Sequence, residues 1–121
     1  MMDNMTPAVK PVDTPGSGPP AKGSFVVASS LLVPLAGADA LEAAFAARLR
    51  AVESWPGFQG LQVWRDVATP GHYTMVSWWD DKPSFARYMR STDHHVSHGR
   101  IPAGEHAPKL DTIQRFEIVA T

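Results

Sequence analysis

The sequence predicts an α+β domain in which two helices cover one face of a four-stranded antiparallel sheet. The first observation is the order of the elements, which is strand, helix, strand, strand, helix, strand. The second is that Thr69-Pro70-Gly71 joins the two middle strands, which indicates a hairpin. The third is that the two halves of the chain share a weakly repeated β-α-β pattern. This order is that of the split β-α-β, or ferredoxin-like, arrangement.

The chain has 121 residues, and its beginning differs in composition from the rest. Residues 1–23 are rich in proline and glycine and contain no aromatic residue. Such a segment buries too little apolar surface to offset its ordering entropy, so we predict a disordered arm. Residues 24–121 remain, which is enough for one small domain.

Charge and cysteine content exclude several classes of function. The formal net charge is −1 and the pI is about 6.5, so bulk electrostatics favour neither nucleic acid nor an anionic membrane. The absence of cysteine excludes disulfides, thiolate zinc sites and cysteine nucleophiles, and it fits a cytoplasmic protein. The apolar run from Phe25 to Ala38 is too short to span a bilayer. We interpret it as a buried strand and loop rather than the core of a signal peptide.

The first strand and helix follow directly. Residues 25–33 are apolar on both sides of the alternation, which predicts a central strand. Asp39 is then expected to cap a helix of about four turns, with Glu42 completing a capping box. Pro56 and Gly57 end that helix before the hairpin strands, which are predicted at residues 58–66 and 72–80.

Asp81 and Pro83 mark the start of the second helix, since Asp is a good N-cap and proline is tolerated in a first turn. Its predicted buried stripe consists of Phe85, Tyr88 and Met89. Residues 99–108 are predicted to be irregular, and residues 112–120 form the last strand.

The sheet face away from the helices also needs a cover. We expect Trp64, Met75 and Trp79 to lie there, and these side chains cannot all face water at low cost. A second copy of the chain is the simplest cover, so the sequence predicts a homodimer.

Several of these residues carry a resemblance to a known family. The turn Trp55-Pro56-Gly57-Phe58, the run Val76-Ser77-Trp78-Trp79-Asp80 and the later Phe85, Tyr88, Ser91 and His98 occur in its order. Over about residues 24–120 the chain resembles the antibiotic biosynthesis monooxygenase superfamily of dimeric α/β barrels. Within it, the haem-degrading branch is the most similar.

The resemblance implies a site. His98 matches the histidine that ligates haem iron in that branch, and Tyr88, ten residues earlier, matches an aromatic that presses on the porphyrin. Ser29, or else Ser30, stands where the branch has an asparagine facing bound oxygen. A serine hydroxyl is shorter than that amide and has a different geometry. Trp79 and Phe85 would complete the aromatic wall of the pocket.

Histidine chemistry allows other interpretations. Neutral imidazole is a good iron ligand or proton carrier, but His98 could equally be a surface residue favoured by a helix end. His94 and His98 share a helical face and could hold zinc or copper, with Glu105 or His106 as a third ligand. Core packing remains the ordinary role for Trp79. His94, His95 and His72 are expected to face solvent.

The resemblance implies a homodimeric monooxygenase that oxidises haem or a similar planar hydrophobic substrate, with His98, Ser29 and Tyr88 as catalytic residues. Haem would serve as cofactor and substrate, bound by His98, Tyr88, Trp79 and Phe85. Two alternatives stay open. One is cofactor-free oxidation of a quinol or polyketide-like aromatic, with His98 or Tyr88 as the base. The other is a non-catalytic ligand-binding or assembly module. No dinucleotide fingerprint and no serine-hydrolase elbow is present.

Overall fold

The computed structural model describes residues 20–47, 51–91, 94 and 104–121. The elements follow the predicted order: β1 Phe25–Leu32, α1 Leu35–Ala46, a 3-10 helix Ala51–Ser54, β2 Phe58–Arg65, β3 His72–Trp79, α2 Lys82–Met89 and β4 Lys109–Glu117. The predicted arm comprises residues 1–23, of which residues 1–19 lie outside the described residues.

The four strands form one antiparallel sheet with the order β2-β3-β1-β4. This order confirms the ferredoxin-like arrangement and the central position of β1. Side chains alternate between the two faces of a strand. Leu31, Val63 and Tyr73 pack on α1, so the odd-numbered residues at the strand centres lie on the side that we call the helix face. The other side is the open face.

Two clusters form the core on the helix face. The aliphatic cluster lies under α1 and consists of Leu31, Val33, Leu41 and Tyr73. The aromatic cluster lies under α2 and the 3-10 helix and consists of Val52, Phe58, Trp79 and Tyr88. Only Trp79 and Leu41, one from each cluster, are large side chains with essentially no solvent exposure in the described part of the chain.

The predicted positions of Met75 and Trp79 are wrong. Trp79 packs in the aromatic cluster, and Met75 pairs with Ser29 and Val63, so both belong to the helix face. Trp64 does lie on the open face, where it is 49% exposed. The alternation showed that Trp78 and Trp79 point to opposite sides, but only the packing of α2 decides which side is inside.

The predicted start of the first helix is also wrong. α1 begins at Leu35 with Pro34 at its N-cap position, so Asp39 is an exposed residue inside the helix. Pro34 ends the strand with extended backbone angles, and the Gly37 amide donates to its carbonyl oxygen over 2.8 Å. Glu42 does not complete a capping box, because its carboxylate is bound by Arg65 and Tyr73.

The second half of the chain agrees more closely with the elements predicted from the sequence. The hairpin is confirmed, and α2 has the predicted cap at Asp81. Met89 is 39% exposed rather than buried, and Ser84 takes the inward position. β4 runs from Lys109 to Glu117 instead of over residues 112–120, because its pairing with β1 already begins at Leu32 and Lys109. No helix in the described segments is both long and apolar enough to cross a membrane.

Candidate active site on the helix face

The cap of α2 positions two of the predicted site residues. Asp81 Oδ1 accepts hydrogen bonds from the Ser84 amide over 2.9 Å and from the Ser84 hydroxyl over 2.7 Å. These bonds satisfy a backbone donor that the first turn leaves open, and they lower the pKa of the Asp81 carboxyl. The helix therefore begins at a defined residue and directs Phe85 and Tyr88 onto the sheet.

Trp79 is the centre of the aromatic cluster. Its ring lies 5.2 Å from Phe58, 5.7 Å from Phe85 and 5.5 Å from Tyr88, measured between centroids. The indole Nε1 donates to Ser77 Oγ over 2.9 Å, so its polar atom is satisfied inside the core. Trp79 is 2% exposed and Tyr88 7%, whereas Phe85 is half-buried. Phe85 therefore has the most accessible ring of the three predicted aromatic wall residues.

The chain after α2 turns back toward the same cluster. The Ser91 hydroxyl donates to the Tyr88 carbonyl over 2.6 Å and accepts from the His94 amide over 3.1 Å. The His94 ring then packs edge-on against Tyr88 with 5.3 Å between centroids. His94 is thus half-buried against an aromatic ring, not solvated as predicted. His98 lies outside the described residues, as do His95 and Arg100.

Ser29 lies between the two core clusters. It pairs with Met75 of β3 on one side and with Ile113 of β4 on the other. Paired residues of adjacent strands point to the same face, so all three belong to the helix face. Ser29 and Met75 are half-buried and Ile113 is 43% exposed. We call this partly open stretch the central gap; it brings one hydroxyl into an otherwise apolar surface.

A groove opens beside the central gap, where α1 meets β2. Its volume is about 340 Å³, at the lower end of the range of roughly 300–1,000 Å³ that is typical of ligand pockets. Its apolar part is formed by Phe45, Ala46, Leu61 and Val63. Leu61 packs on the aromatic cluster and Val63 on the aliphatic cluster, so the groove runs along the boundary between the two.

The other end of the groove is polar. Arg65 donates two hydrogen bonds to the Glu42 carboxylate, over 2.9 and 2.7 Å, and the Tyr73 hydroxyl donates a third. These bonds, with those from Arg65 contributing most, lower the pKa of Glu42 to about 2. The Glu42 bond and burial raise the pKa of Tyr73. The sequence did not reveal this polar end, because Glu42 and Arg65 are far apart along the chain. They meet only because α1 packs on the sheet beside β2.

The described residues limit the places where a metal ion could bind. No group of three or more His, Asp or Glu side chains within residues 20–47, 51–91, 94 and 104–121 is arranged to hold an ion. His106 lies 3.4 Å from Glu105, and both are largely exposed. A His94–His98 ion site stays a prediction, since His98 is outside these ranges.

Fold and site together define a class of protein. The sequence profile of the antibiotic biosynthesis monooxygenase family matches residues 24–100, and the chain belongs to this family. A curated relative, a mycobilin-producing heme oxygenase from Mycobacterium tuberculosis, is 31% identical over 93 residues, which cover 75% of this chain and 85% of the relative.

Solved structures agree with this assignment. The heme-degrader MhuD from M. tuberculosis, with two hemes bound in its active site, has a TM-score of 0.66 at 29% identity and covers 80% of this chain and 97% of its own. A conserved protein from Methanosarcina mazei has a TM-score of 0.63 at 13% identity, with 79% of this chain and 93% of its own covered. The second similarity shows the fold alone.

Proposed function

We propose that this chain binds haem on the helix face and oxidises it with dioxygen, using electrons from an external donor. The observation that carries the proposal is the similarity to the mycobilin-producing heme oxygenase, which extends over 85% of that protein. The similarity to a structure with hemes in its active site supports the same substrate class.

The residues after α2 fit a haem ligand. The contact between Tyr88 and His94 places the first of the later histidines against the aromatic cluster. His98, four residues farther on, is the proposed iron ligand, and neutral imidazole suits ferric and ferrous iron. Bound iron supplies the centre at which dioxygen is activated. The chain's own task would be to bind the macrocycle and keep water away from it.

The other predicted site residues receive separate tasks. The half-buried Phe85 would contact the porphyrin. Trp79 and Tyr88 would hold the Phe85 ring in place from the core side. Ser29 would supply one hydroxyl hydrogen-bond donor at the floor of the central gap. Because the hydroxyl is shorter than the amide found in the haem-degrading branch, we expect a different distribution of oxidation products.

A haemin titration tests the proposal. We expect a sharp Soret band that saturates at a defined ratio, and we expect His98→Ala to abolish it. His106→Ala is the matched control, because His106 is a largely exposed histidine outside the helix-face site. With a reductant and oxygen, the Soret band of the unmodified protein should then decay. An unchanged band in His98→Ala would remove the ligand assignment.

Oxygen-uptake measurements made beside the haemin titration separate the two alternative functions. Absence of specific haem binding together with oxygen uptake on a dihydroxyaromatic would favour cofactor-free oxidation. Oxygen consumption equal to a buffer control with every substrate would instead favour a binding or assembly module.

We further propose that the chain is a homodimer that joins through the open faces. Trp64 and Phe116 are each 49% exposed there, and Leu32 is 46% exposed. Large apolar side chains on a contiguous sheet face favour association. Residues 1–23 are proposed to remain an arm outside this dimer.

A further inference from the structure

The groove between α1 and β2 is a pocket that the haem proposal does not use. It lies over β2 and β3, whereas the central gap lies over β1, β3 and β4. At roughly 30 Å³ per atom, the volume that one molecule occupies in liquid water, its volume of about 340 Å³ holds about eleven non-hydrogen atoms. A porphyrin is several times larger. The groove can therefore take a small ligand but not haem.

The groove stays accessible in the proposed dimer. Its β2 residues, Leu61, Val63 and Arg65, lie on the helix face, whereas the dimer is proposed to join through the open face. Leu61 and Val63 are half-buried, and the Arg65 side chain is 62% exposed. A ligand can thus enter from solvent without separating the two copies.

The apolar walls of the groove are in place before a ligand arrives. Phe45 and Val63 pack against the aliphatic cluster and Leu61 packs against the aromatic cluster, so the core fixes all three. Ala46 is exposed at the end of α1, and its small side chain leaves the groove open on that side. Preformed apolar walls bind an apolar body without the entropy cost of ordering the site.

The polar end of the groove carries a guanidinium with one edge unused. Arg65 Nε lies 2.9 Å from Glu42 Oε2 and Nη2 lies 2.7 Å from Oε1, so Glu42 occupies the Nε–Nη2 edge. A guanidinium has five N–H donors. Arg65 uses two of them in side-chain hydrogen bonds to other described residues. The parallel N–H groups of the Nη1–Nη2 edge remain, and such a pair matches a carboxylate.

Glu42 orients this second edge and also limits the affinity for an anion. Because the Tyr73 hydroxyl donates to the Glu42 carboxylate as well, that carboxylate is held from two sides and in turn holds the guanidinium. These bonds, mainly those from Arg65, lower the pKa of Glu42 to about 2, so it is ionised at neutral pH. A ligand carboxylate therefore gains two hydrogen bonds but is repelled by a nearby charge of its own sign.

We propose that the groove is a binding site for a small alkyl carboxylate, separate from the proposed haem site. The ligand carboxylate accepts from the Nη1–Nη2 edge of Arg65, and the alkyl body lies along Phe45, Leu61 and Val63. For a ligand of about ten non-hydrogen atoms in a half-open groove we expect a Kd on the order of 1 mM. Neither part of this arrangement requires haem.

The test is a titration of the isotope-labelled full chain, without haem, with octanoate, followed by the amide signals in NMR spectra. Octan-1-ol is the comparison ligand, because it has the same alkyl body and no charge. We expect saturable shifts that include the signals of Leu61, Val63 and Arg65. Octan-1-ol should bind about tenfold more weakly, because it cannot accept two charge-assisted hydrogen bonds.

Two variants test the polar end. Arg65→Met should weaken octanoate binding by about tenfold and leave octan-1-ol binding unchanged, because only the carboxylate uses the guanidinium. Arg115→Met is the matched control, since it removes the same charge from β4, at the opposite edge of the sheet. Glu42→Gln should strengthen octanoate binding about 3- to 10-fold, because the repelling charge is lost while an amide oxygen still accepts from Arg65.

A third variant tests the apolar walls. Ala46→Phe should fill the groove and abolish the binding of both ligands. Ala43→Phe is its control, because Ala43 is an exposed residue of the same helix that does not line the groove. Circular dichroism confirms that each variant is folded.

Three results would overturn the proposal. The first is the absence of saturable octanoate binding to the folded, unmodified protein. The second is octanoate binding that is equally tight in Arg65→Met or in Ala46→Phe. The third is displacement of octanoate by one equivalent of haemin, which would make the groove part of the haem site. A protein that binds octanoate and no haemin would instead contradict only the proposed haem function.

Discussion

The two faces of the sheet use tryptophan in opposite ways. On the helix face, Trp79 is 2% exposed, is surrounded by aromatic rings and has its Nε1 satisfied by Ser77. On the open face, Trp64 is 49% exposed, and its Nε1 donates to the neighbouring Gln62 over 2.8 Å. The first is a core residue of a single chain. The second has a large apolar surface that packing within one chain does not cover, which is typical of a residue that serves association.

The largest effect that this comparison predicts is on stability. Trp79→Ala should lower the free energy of unfolding by about 3–5 kcal/mol, because it removes a buried aromatic side chain and leaves a cavity. Trp64→Ala in dilute solution should cost less than about 1 kcal/mol, since an exposed side chain contributes little. Urea unfolding followed by circular dichroism measures both. Equal costs for the two variants would contradict the assignment of the faces.

The next effect concerns association through the open face. Phe116→Glu places a charge where the dimer proposal requires an apolar contact, so we expect sedimentation to show a shift toward monomer. Val67→Glu is the matched control, because Val67 is 97% exposed in the β2–β3 turn. A monomeric unmodified protein, or a Phe116→Glu variant that stays dimeric, would exclude this face as the interface.

Local signals in the sequence predicted what depends on local chemistry. Asp81 and Pro83 predicted the start of α2, because a cap and a first-turn proline act within one helical turn. The start of α1 was missed. Asp39 and Glu42 formed an acceptable capping pattern, but Pro34 had already ended the strand and the carboxylate of Glu42 is bound by Arg65 and Tyr73.

Strand register and helix packing determine the features that could not be predicted from the sequence. Alternation separates Trp78 from Trp79 but does not say which of the two α2 covers. Ser30 and His72 meet only because β1 and β3 are neighbours in one particular register. Ser29 was placed on the first strand correctly, and its position between the core clusters became visible only with the helices in place. The role of His98 stays a prediction.

A smaller effect is expected from the cap that anchors the aromatic cluster. Asp81→Ala should cost about 1 kcal/mol, the usual penalty for losing an N-cap. The reason is that the Ser84 amide and hydroxyl both lose their acceptor. Asp80→Ala is the matched control, because Asp80 is exposed and accepts only from the Gln59 side chain, over 2.8 Å, among the hydrogen bonds described for it. It should change stability by less than about 0.5 kcal/mol. Thermal unfolding compares the two, and an equal loss would show that the cap is not what holds α2.

The smallest effect is the pH dependence contributed by the groove. The pKa of Glu42 is about 2 in the folded chain, below its ordinary value of 4.5, so the folded state binds this proton more weakly than the unfolded state. The resulting stabilisation is complete above pH 4.5 and is lost as the pH falls toward 2.

Glu42→Gln should therefore flatten the dependence of the unfolding midpoint on pH within this window. Arg65→Met should flatten it partly, because Tyr73 still donates to the carboxylate. The Arg65 side chain is 62% exposed and that of Glu42 37%, so water screens the pair and the change should be small compared with that of Trp79→Ala. If Arg65→Met kept the acid profile of the unmodified protein, the guanidinium would not be the main cause of the lowered pKa. The polar end of the groove would then depend on Tyr73 instead.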